Sequence, residues 1–422
     1  MNIMSKSILY LCTRVFWPPY DGHASEMYHY CRGLHHKLGY EIDTYIFDEV
    51  TEKEKNQKPD FIRDIIPGIP ISRSTKLTNM LRRSFWGKEA WPLQCSLYYS
   101  ETNAKKIAEV LIQRHYDAIF VDMVRLAPYI YACHQYAGLK ILDIDDTLSK
   151  RYARQERVID TKTTVAGQYN QKLPKFLQKL LTAKCLKKAV LRFEIPRMKW
   201  AERYFADLYD KVIFVSDLET KDFNETYHTD KAVTVSLGVD YPFFSEQLPV
   251  EKEPGTISFI GNMGTAANAD SLRLIARKIL PLCHNVRKCY IIGKCPDELR
   301  QELADCEKLE ILGKVPDLRP MVQRTEVFLA ALAYGTGIKT KILEAMAMGM
   351  PVVTNDVGAE GIAAVRGQDF LVANDYQEIA AAVDGLLQDV DLRSQIGASA
   401  QSYTKNKCQW EAIWEDFRKA GF

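Results

Sequence analysis

The feature that most constrains the fold is a strand–loop–helix–strand rhythm at the start of the chain. Residues 7–12 are a short apolar run, which is typical of a buried parallel strand, and residues 41–47 give a second predicted strand. Between them lies a loop, and helical periodicity begins near Ala24. Apolar residues then recur on one face of this helix: Met27, Tyr30, Cys31 and Leu34. Two such strands joined by a helix form a βαβ unit, and βαβ units build parallel, doubly wound sheets.

The same rhythm continues and then restarts in the second half of the chain. We predict further strands at 118–121, 140–144, 211–215, 256–260, 289–292, 309–312, 327–330 and 351–354. Predicted helices cover 101–114, 269–281 and 338–348, a long basic helical stretch covers about 150–205, and 50–95 has an irregular pattern. The sequence therefore predicts an α/β protein with two Rossmann-like, parallel-sheet domains.

The chain has 422 residues, a length that suits two domains. A Pro-, Glu- and Lys-rich run marks a linker at 236–254. We therefore predict an N-terminal domain at 1–235 and a C-terminal domain at 255–404. A C-terminal helix at 405–422 carries Trp410, Trp414 and Phe417 at helical spacing, and we expect it to pack back on the first domain.

Charge and cysteine content exclude several classes of protein. The 56 basic and 54 acidic residues give a net charge of +2, so there is no overall field that would attract nucleic acid. The ten cysteines contain no C-x-x-C pair, which argues against a zinc or thioredoxin-like site and fits a reducing cytoplasm. The apolar run at 8–12 is too short for a signal peptide, and no stretch is long enough to span a membrane. We expect a cytoplasmic protein.

The segment with the clearest chemistry is residues 335–354. Gly335 and Gly337 open a loop, a helix follows closely, and Lys339 and Lys341 add positive charge. A helix N-terminus and two cations favour an anion such as a phosphate. Glu344 lies one helical turn beyond Lys341, where a carboxylate is suited to binding two vicinal hydroxyls. The alternative is an ordinary surface helix whose Lys and Glu face solvent.

This segment resembles the nucleotide-binding signature of retaining, GT-B-fold glycosyltransferases of glycosyltransferase family 4. The usual run there is E-G-F-G-x-P-x-x-E-A-M-A-x-G-x-P-V-V. The matching residues are Glu344, Ala345, Met346, Ala347, Gly349, Pro351, Val352 and Val353. Thr336 stands where the family has its first Glu, which contacts the donor sugar. The resemblance implies two domains facing a central cleft, a ribose contact for Glu344, and transfer of a sugar with retention of its anomeric configuration.

Other segments support the resemblance. Gly22 and His23 are similar to the family's glycine loop, which touches the donor phosphates. Residues 259–263 resemble its F-x-G element, and the loop at 357–361 lies where the family places a loop near the nucleotide. Our donor-binding candidates are therefore Gly22, Gly261, Asn262, Gly337, Lys339, Lys341, Glu344 and Glu360.

Polar residues also follow the predicted strands of the first domain. The catalytic candidates are His23 and Asp122, because the carboxyl ends of parallel strands face the ligand crevice. Asp145 and Asp146, with Arg151, are acceptor candidates. Asp143 and Asp145 form a D-x-D triplet, which in GT-A enzymes binds a divalent metal. Since the chain otherwise follows the GT-B pattern, we expect a polar strand end and no metal or other cofactor.

Residues 172–203 contain ten Lys or Arg and two Glu, with apolar residues interleaved. A basic amphipathic helix of this kind binds an anionic membrane surface, while the alternative is a solvated helix packed on its own domain. Nearby residues that would extend the basic patch are Arg82, Arg83, Phe85, Trp86 and Lys88. Family members often use lipid-linked acceptors, which favours a peripheral position at the inner face of the cell membrane.

The function that these features favour is transfer of a sugar from a nucleotide sugar to a saccharide or lipid-linked acceptor, in cell-surface polysaccharide or glycolipid biosynthesis. Two alternatives are a nucleotide-sugar epimerase of GT-B fold and a non-catalytic protein that binds a nucleotide sugar. A nicotinamide-dependent oxidoreductase is disfavoured because no G-x-G-x-x-G follows the first strand.

Overall fold

The computed structural model describes residues 6–19, 22–87, 90–158 and 184–422. In this part of the chain, no helix combines the length and the apolarity that crossing a membrane requires.

The described residues form two compact units. The first unit draws on Met1–Ser149, Phe193–Leu237 and Trp410–Phe422. The second draws on Lys150–Arg192 and Gly238–Gln409. Each unit has its own sheet and its own apolar core, so each can be described by itself.

The first unit is built on a seven-stranded sheet in which all neighbouring strands run parallel. Its described strands are β1 Ser7–Cys12, β2 Glu41–Ile46, β3 Ile62–Pro67, β4 Ala118–Asp122, β5 Leu139–Asp145, β6 Lys211–Phe214 and β7 Ala232–Thr234. Their order across the sheet is β3–β2–β1–β4–β5–β6–β7. Every residue of β1 and of β4 is buried, as expected for inner strands covered on both faces.

The second unit contains a six-stranded sheet, also parallel throughout its described strands. These strands are β8 Thr256–Ile260, β9 Lys288–Ile292, β10 Leu309–Gly313, β11 Val327–Ala330, β12 Val352–Thr354 and β13 Leu371–Val372. The order is β10–β9–β8–β11–β12–β13. The predicted pair of Rossmann-like parallel-sheet domains is confirmed.

Helices connect most of the strands. In the first unit they are α1 Gly22–His36, α2 Glu52–Asn56, α3 Arg73–Asn79 with the π-helical turn Met80–Phe85, α4 Leu93–Tyr98, α5 Glu101–Gln113, the 3-10 segment Val124–Cys133, and α8 Asp217–Tyr227. Two helices, α6 Leu148–Val158 and α7 Lys184–Leu208, contribute residues to both units. Side-chain caps fix several helix starts; for example, the hydroxyl of Ser100 accepts the N–H of Asn103 at the start of α5.

The helices of the second unit are α9 Tyr241–Phe244, α10 Ala266–Leu274, α11 Asp297–Glu302, α12 Arg319–Gln323, α13 Thr340–Ala347, α14 Asp356–Ala359, α15 Tyr376–Gln388 and α16 Val390–Lys407. The predicted helix at 269–281 is α10 followed by a π-helical turn, Ile275–Ile279, and a 3-10 turn, Leu280–Leu282. Pro281 explains why the helix ends in a 3-10 turn, because proline has no N–H for an α-helical hydrogen bond.

In each sheet the strand order reverses at one place. The reversal falls between β1 and β4 in the first unit and between β8 and β11 in the second. A crevice opens outside the carboxyl ends of the strands at such a switch point, and ligands bind there in open α/β sheets. The loops after these four strands are therefore the first places to look for a site.

Three strands lie where the sequence did not predict one: β3, β7 and β13. All three are at the edges of their sheets, and β7 and β13 have only three and two residues. The region at 50–95 is thus not wholly irregular. Edge strands are partly exposed and short, so they lack the continuous apolar run by which an inner strand is recognised.

The predicted helix at 405–422 is broken. Helix α16 ends at Lys407, and after it come α17 Trp410–Ile413 and the 3-10 segment Trp414–Ala420. The break forms where the Cys408 carbonyl accepts a hydrogen bond from the N–H of Val239.

The C-terminal aromatic residues pack on α1 in the first unit. The indole N–H of Trp414 donates to the carbonyl of His29 at 2.9 Å, and the Trp410 ring stacks on the His29 ring at a centroid distance of 4.6 Å. A Cβ on Gly33 would lie 2.1 Å from Cδ1 of Trp414. The close approach of the indole to α1 therefore requires glycine at position 33.

Candidate functional site

The loop between β11 and α13 lies at the switch point of the second sheet. Gly337 has a φ of +66°, a left-handed conformation that glycine adopts without strain. No side chain caps the start of α13. Four backbone N–H groups here donate to no described residue: those of Gly337, Ile338, Thr340 and Lys341. Unused N–H groups at a helix N-terminus form a favourable place for an anion.

The two lysines of this loop have different surroundings. The ammonium of Lys339 donates to the carbonyl oxygens of Thr336 at 2.9 Å and Gly337 at 2.5 Å, so it holds the loop together. The ammonium of Lys341 donates to Oδ1 of Asn268 at 2.6 Å and lies 4.5 Å from the centre of the Phe259 ring. Lys341 is therefore fixed beside the residues that follow β8.

Gly261 and Asn262, which directly follow β8, lie next to Lys341 or its partner Asn268. A Cβ on Gly261 would lie 3.1 Å from the Lys341 ammonium, so glycine leaves room for the cation. The side-chain oxygen of Asn262 accepts the N–H of Gly264 at 3.0 Å, and its carbonyl accepts the Asn268 amide at 3.0 Å. Asn262 thus shapes the loop through its local hydrogen bonds.

Glu344 lies one turn beyond Lys341 on α13. Its carboxylate makes no hydrogen bond or ion pair with any residue that the structure describes. Burial raises the pKa of Glu344 to about 7, and attraction by Lys341 opposes the rise. Burial likewise lowers the pKa of Lys341 to about 7, and Glu344 opposes that shift. The second unit thus offers an unused carboxylate beside a cation in a partly buried site.

Two arginines from α6 contact the same loop. Arg151 donates through Nε to the hydroxyl of Thr336 at 3.1 Å. Arg154 donates to the carbonyl of Gly335 at 2.5 Å and binds both carboxylate oxygens of Glu360, one of them at 2.8 Å. Arg151, predicted as an acceptor contact, therefore lies at the loop before α13 in this structure. Glu360, predicted as a donor contact, is held by Arg154.

The first unit has its own polar cluster at the switch point between β1 and β4. Gly22 is the first residue of α1, and His23 follows it. Nε2 of His23 lies 3.1 Å from Oδ1 of Asp122, the last residue of β4. Nδ1 lies 3.2 Å from Oε2 of Glu26 and 3.8 Å from Oδ2 of Asp145. The two catalytic candidates are therefore close together, and one acceptor candidate joins them.

Asp145, the last residue of β5, does not have the backbone geometry of an extended strand. Asp145 has a φ of +64°, and its N–H donates to Oδ1 of Asp143 at 3.0 Å. Asp143 is buried, and burial raises its pKa well above the ordinary value. The Asp143 carboxylate thus binds the backbone N–H of Asp145, and Asp146, the next residue, is also buried.

Three described residues bring possible metal-ligand atoms together, since one atom each of His23, Glu26 and Asp145 lie within 4.8 Å of one another. Nitrogen and oxygen ligands of this kind suit a borderline divalent ion. The expectation that no metal is used stays a prediction.

Sequence reasoning missed three residues of these sites. Glu26 stands three positions after His23, a spacing that brings side chains together on a helix, but the helix was predicted to start later, near Ala24. Asn268 and Arg154 carried no local signal. Their partners, Lys341 and Glu360, are 73 and 206 residues away in sequence, so only the fold reveals the contacts.

The predicted membrane surface is only partly described. Residues 172–183 and Lys88 lie outside the described residues. Both acidic residues of the basic stretch are buried: Glu194 accepts the N–H of Leu93, and Glu202 accepts the N–H of Ser149. Burial raises the pKa of each to about 7. Apolar side chains are exposed on the neighbouring helical segment, with Trp86 76% and Phe85 50% exposed.

Part of the chain is similar to a known protein family and to one relative from a bacterial cps region. Residues 254–389 match the family described as "Glycosyl transferases group 1". An "Uncharacterized 44.6 kDa protein in cps region" of Klebsiella pneumoniae is 21% identical over 248 residues, which is 55% of this chain. The match spans 61% of that relative's length.

Two solved structures align over nearly the whole chain. Sucrose-phosphate synthase from Thermosynechococcus elongatus has 14% identity and a TM-score of 0.66, with 98% of each chain covered. Alr3699/HepE of Anabaena, in complex with UDP and glucose, has 13% identity and a TM-score of 0.65, with 98% of each chain covered. These likenesses confirm the predicted fold class, whereas membership of glycosyltransferase family 4 stays a prediction.

Proposed function

We propose that this protein, which carries a group 1 glycosyl transferase domain on a GT-B fold, is a glycosyltransferase that moves a sugar from a nucleotide-diphosphate sugar to an acceptor. The observation that carries the proposal is the combination at the start of α13. Unused N–H groups and the Lys341 ammonium suit a diphosphate, and the unused carboxylate of Glu344 suits a ribose. These two kinds of ligand group occur together in a nucleotide diphosphate.

In the proposed complex, the diphosphate oxygens accept hydrogen bonds from the loop N–H groups and from Lys341. Negative charge develops on these oxygens as the bond to the sugar breaks, so donors aimed at them lower the barrier. Glu344 accepts hydrogen bonds from the two ribose hydroxyls. The ammonium of Lys339 donates to the carbonyls of Thr336 and Gly337 in this structure, and its predicted contact with the phosphates stays a prediction.

We further propose that the transferred sugar is a hexose and that its anomeric configuration is retained, as the resemblance to family 4 implies. The acceptor is a saccharide or a lipid-linked saccharide of a cell-surface polysaccharide or glycolipid. The relative from a cps region supports polysaccharide synthesis. Because Lys341 and the loop N–H groups would neutralise the diphosphate, we propose that no metal is required.

The test is a thermal-shift screen of UDP-, GDP- and ADP-sugars, followed by titration calorimetry with the best ligand. A ligand that binds only the folded protein raises the melting temperature. Glu344→Gln should weaken binding about 10- to 100-fold, because hydrogen bonds to a charged group contribute about 1.5–3 kcal/mol. Glu411→Gln, at an exposed position, is the matched control. Failure of all nucleotide sugars to bind, or unchanged affinity of Glu344→Gln, contradicts the proposal.

Product analysis then separates transfer from the two alternatives. With acceptor present, the anomeric coupling constant of the product reports retention or inversion. An epimerised sugar formed from the donor alone identifies an epimerase. Tight binding without turnover across acceptors identifies a binding protein.

We also propose that the protein is cytoplasmic and associates with anionic membrane surfaces through 172–203 and the neighbouring helical segment. The exposed Trp86 and Phe85 support this, because aromatic side chains beside basic residues favour the membrane interface. Vesicles rich in anionic lipid should carry the protein upward in a flotation gradient at low salt, whereas neutral vesicles should not. Protein left at the bottom of both gradients contradicts this part.

A further inference from the structure

One face of α6 lies against the loop before α13, and both belong to the second unit at this point. Arg151 and Arg154 are three positions apart, a spacing that places side chains on the same face of a helix. Nε of Arg151 donates to the Thr336 hydroxyl at 3.1 Å. Arg154 donates to the Gly335 carbonyl at 2.5 Å and binds the Glu360 carboxylate. The two arginines therefore hold the residues that directly precede the proposed diphosphate site.

The proposed position of the nucleotide determines which part of the donor reaches these residues. Glu344, one turn into α13, is the proposed ribose contact, and the unused N–H groups between residues 337 and 341 are the proposed diphosphate contact. In a nucleotide sugar the diphosphate lies between the ribose and the transferred sugar. A donor whose ribose lies at Glu344 therefore extends its sugar in the opposite direction, toward Gly335, Thr336 and Arg151.

The side chains at this end of the loop favour an acidic group on the ligand. Thr336 is 7% exposed, so little water competes near its hydroxyl, and Arg151 is half-buried. A guanidinium has five N–H donors and no acceptor, and its shape matches the two oxygens of a carboxylate. Residues 335–343 contain no Asp or Glu, and the charge of Glu360 is balanced by Arg154. A carboxylate on the sugar would therefore be attracted to Arg151.

We propose that Arg151 is a specificity-determining residue of the donor site and that the transferred sugar is a hexuronic acid, a hexose oxidised to a carboxylate at C6. This inference rests on the proposed function. In the complex, the Arg151 guanidinium donates two parallel hydrogen bonds to the C6 carboxylate. The Thr336 hydroxyl, which accepts from Nε, holds the plane of the guanidinium. Arg154 keeps α6 in place through Gly335 and Glu360.

A neutral hexose makes a weaker contact with the same guanidinium. Its C6 hydroxyl carries no charge and accepts one hydrogen bond from Arg151, whereas a carboxylate accepts two and pairs with the cation. The hexuronic acid donor should therefore bind about 10- to 100-fold more tightly than the hexose donor with the same nucleotide.

The test is titration calorimetry with pairs of donors that differ only at C6. The uridine pairs are UDP-glucuronic acid with UDP-glucose and UDP-galacturonic acid with UDP-galactose. The guanosine pair is GDP-mannuronic acid with GDP-mannose, and the adenosine pair is ADP-glucuronic acid with ADP-glucose. Ionic strength is held constant, because the members of each pair differ by one charge.

Arg151→Met should abolish the preference for the hexuronic acid member. Its affinity for the hexose member should stay within about threefold of wild type, because only the contact with the carboxylate is lost. Arg157→Met is the matched control, since Arg157 is an exposed arginine on the same helix, and it should keep the wild-type preference. Arg151→Lys keeps the charge but lacks the paired N–H groups, so it should lose most of the preference.

Two outcomes overturn the inference. The first is a wild type that binds the hexose member of each pair as tightly as the hexuronic acid member, or more tightly. The second is a wild-type preference that persists in Arg151→Met. Melting temperatures show whether this variant folds, and if it does not, an unchanged preference in Arg151→Lys overturns the inference in its place. A wild type that binds no member of any pair contradicts the proposed function instead.

Discussion

Affinity for the nucleotide sugar should follow a bell-shaped pH profile centred near pH 7. Burial lowers the pKa of Lys341 to about 7 and raises the pKa of Glu344 to about 7. The proposed donor contact needs the ammonium and the carboxylate at the same time. As the pH falls below 7, Glu344 gains a proton and binds the ribose hydroxyls less well. As the pH rises above 7, Lys341 loses the charge that binds the diphosphate.

The size of the effect follows from these pKa values. Each pH unit beyond the pKa reduces the competent form about tenfold, which corresponds to about 1.4 kcal/mol. At pH 7 about a quarter of the protein carries both charges, and at pH 5 or pH 9 about 1% does, so affinity there should be about 25-fold weaker than at pH 7. Glu344→Gln should remove the acid limb of the profile, and Lys341→Met should remove the alkaline limb. Since Lys341 lowers the pKa of Glu344, the acid limb of Lys341→Met should also move to higher pH.

The assay is titration calorimetry from pH 5 to 9 at constant ionic strength. The ligand is an intact nucleotide sugar, because its diphosphate carries no terminal group that titrates near pH 6 as a phosphomonoester does. Lys405→Met and Glu411→Gln, at exposed positions, should reproduce the wild-type profile. A flat wild-type profile refutes the reasoning, and so does a limb that persists in the variant lacking its titrating group.

Two further predictions concern stability. Gly33→Ala should destabilise the protein by about 1–3 kcal/mol in urea unfolding, because the added Cβ would clash with the Trp414 indole. The control is Gly385→Ala in α15, where an added Cβ has no atom within 4 Å and should stabilise the helix by about 0.5–1 kcal/mol. Equal stability of Gly33→Ala and the wild type would contradict the packing of Trp414 on α1. Burial raises the pKa of Glu202 from 4.5 to about 7, so the folded protein keeps a proton that the unfolded chain releases, and this group lowers stability by up to about 3 kcal/mol as the pH rises from 4.5 to 7. Glu202→Gln should make the melting temperature less dependent on pH over that window, and an unchanged dependence would count against it.

The sequence predicted the inner strands well because they are continuous apolar runs. Residues 7–12, 256–260 and 327–330 were predicted with the bounds of β1, β8 and β11. Three of the four edge strands were missed, since partial exposure permits polar residues such as Arg63 and Asp64 in β3, whereas the edge strand β10 was predicted at 309–312. Sequence periodicity reports burial, so it is a weaker guide where a strand has one neighbour and one open side.

In the candidate sites, the sequence could predict only contacts between residues that are close together along the chain. Lys341 and Glu344 are one helical turn apart, a spacing that allows a shared pocket or an ordinary surface helix, and the family resemblance favoured the pocket. Arg154 and Glu360 are 206 residues apart in sequence, and the residues around each of them do not predict their contact. Helix α1 begins at Gly22, earlier than its apolar pattern indicated, because the first turn is occupied by the polar cluster around His23.

The division of the chain into units constrains how its parts can be exchanged. The first unit is assembled from three separate segments, and its last segment begins at Trp410. Residues 238–409 are therefore inserted between two segments of the first unit. A chimera that replaces this insertion needs one junction before residue 238 and a second one after residue 409. Because Arg151 and Arg154 contact Gly335, Thr336 and Glu360, a transplanted insertion would also have to match these two arginines.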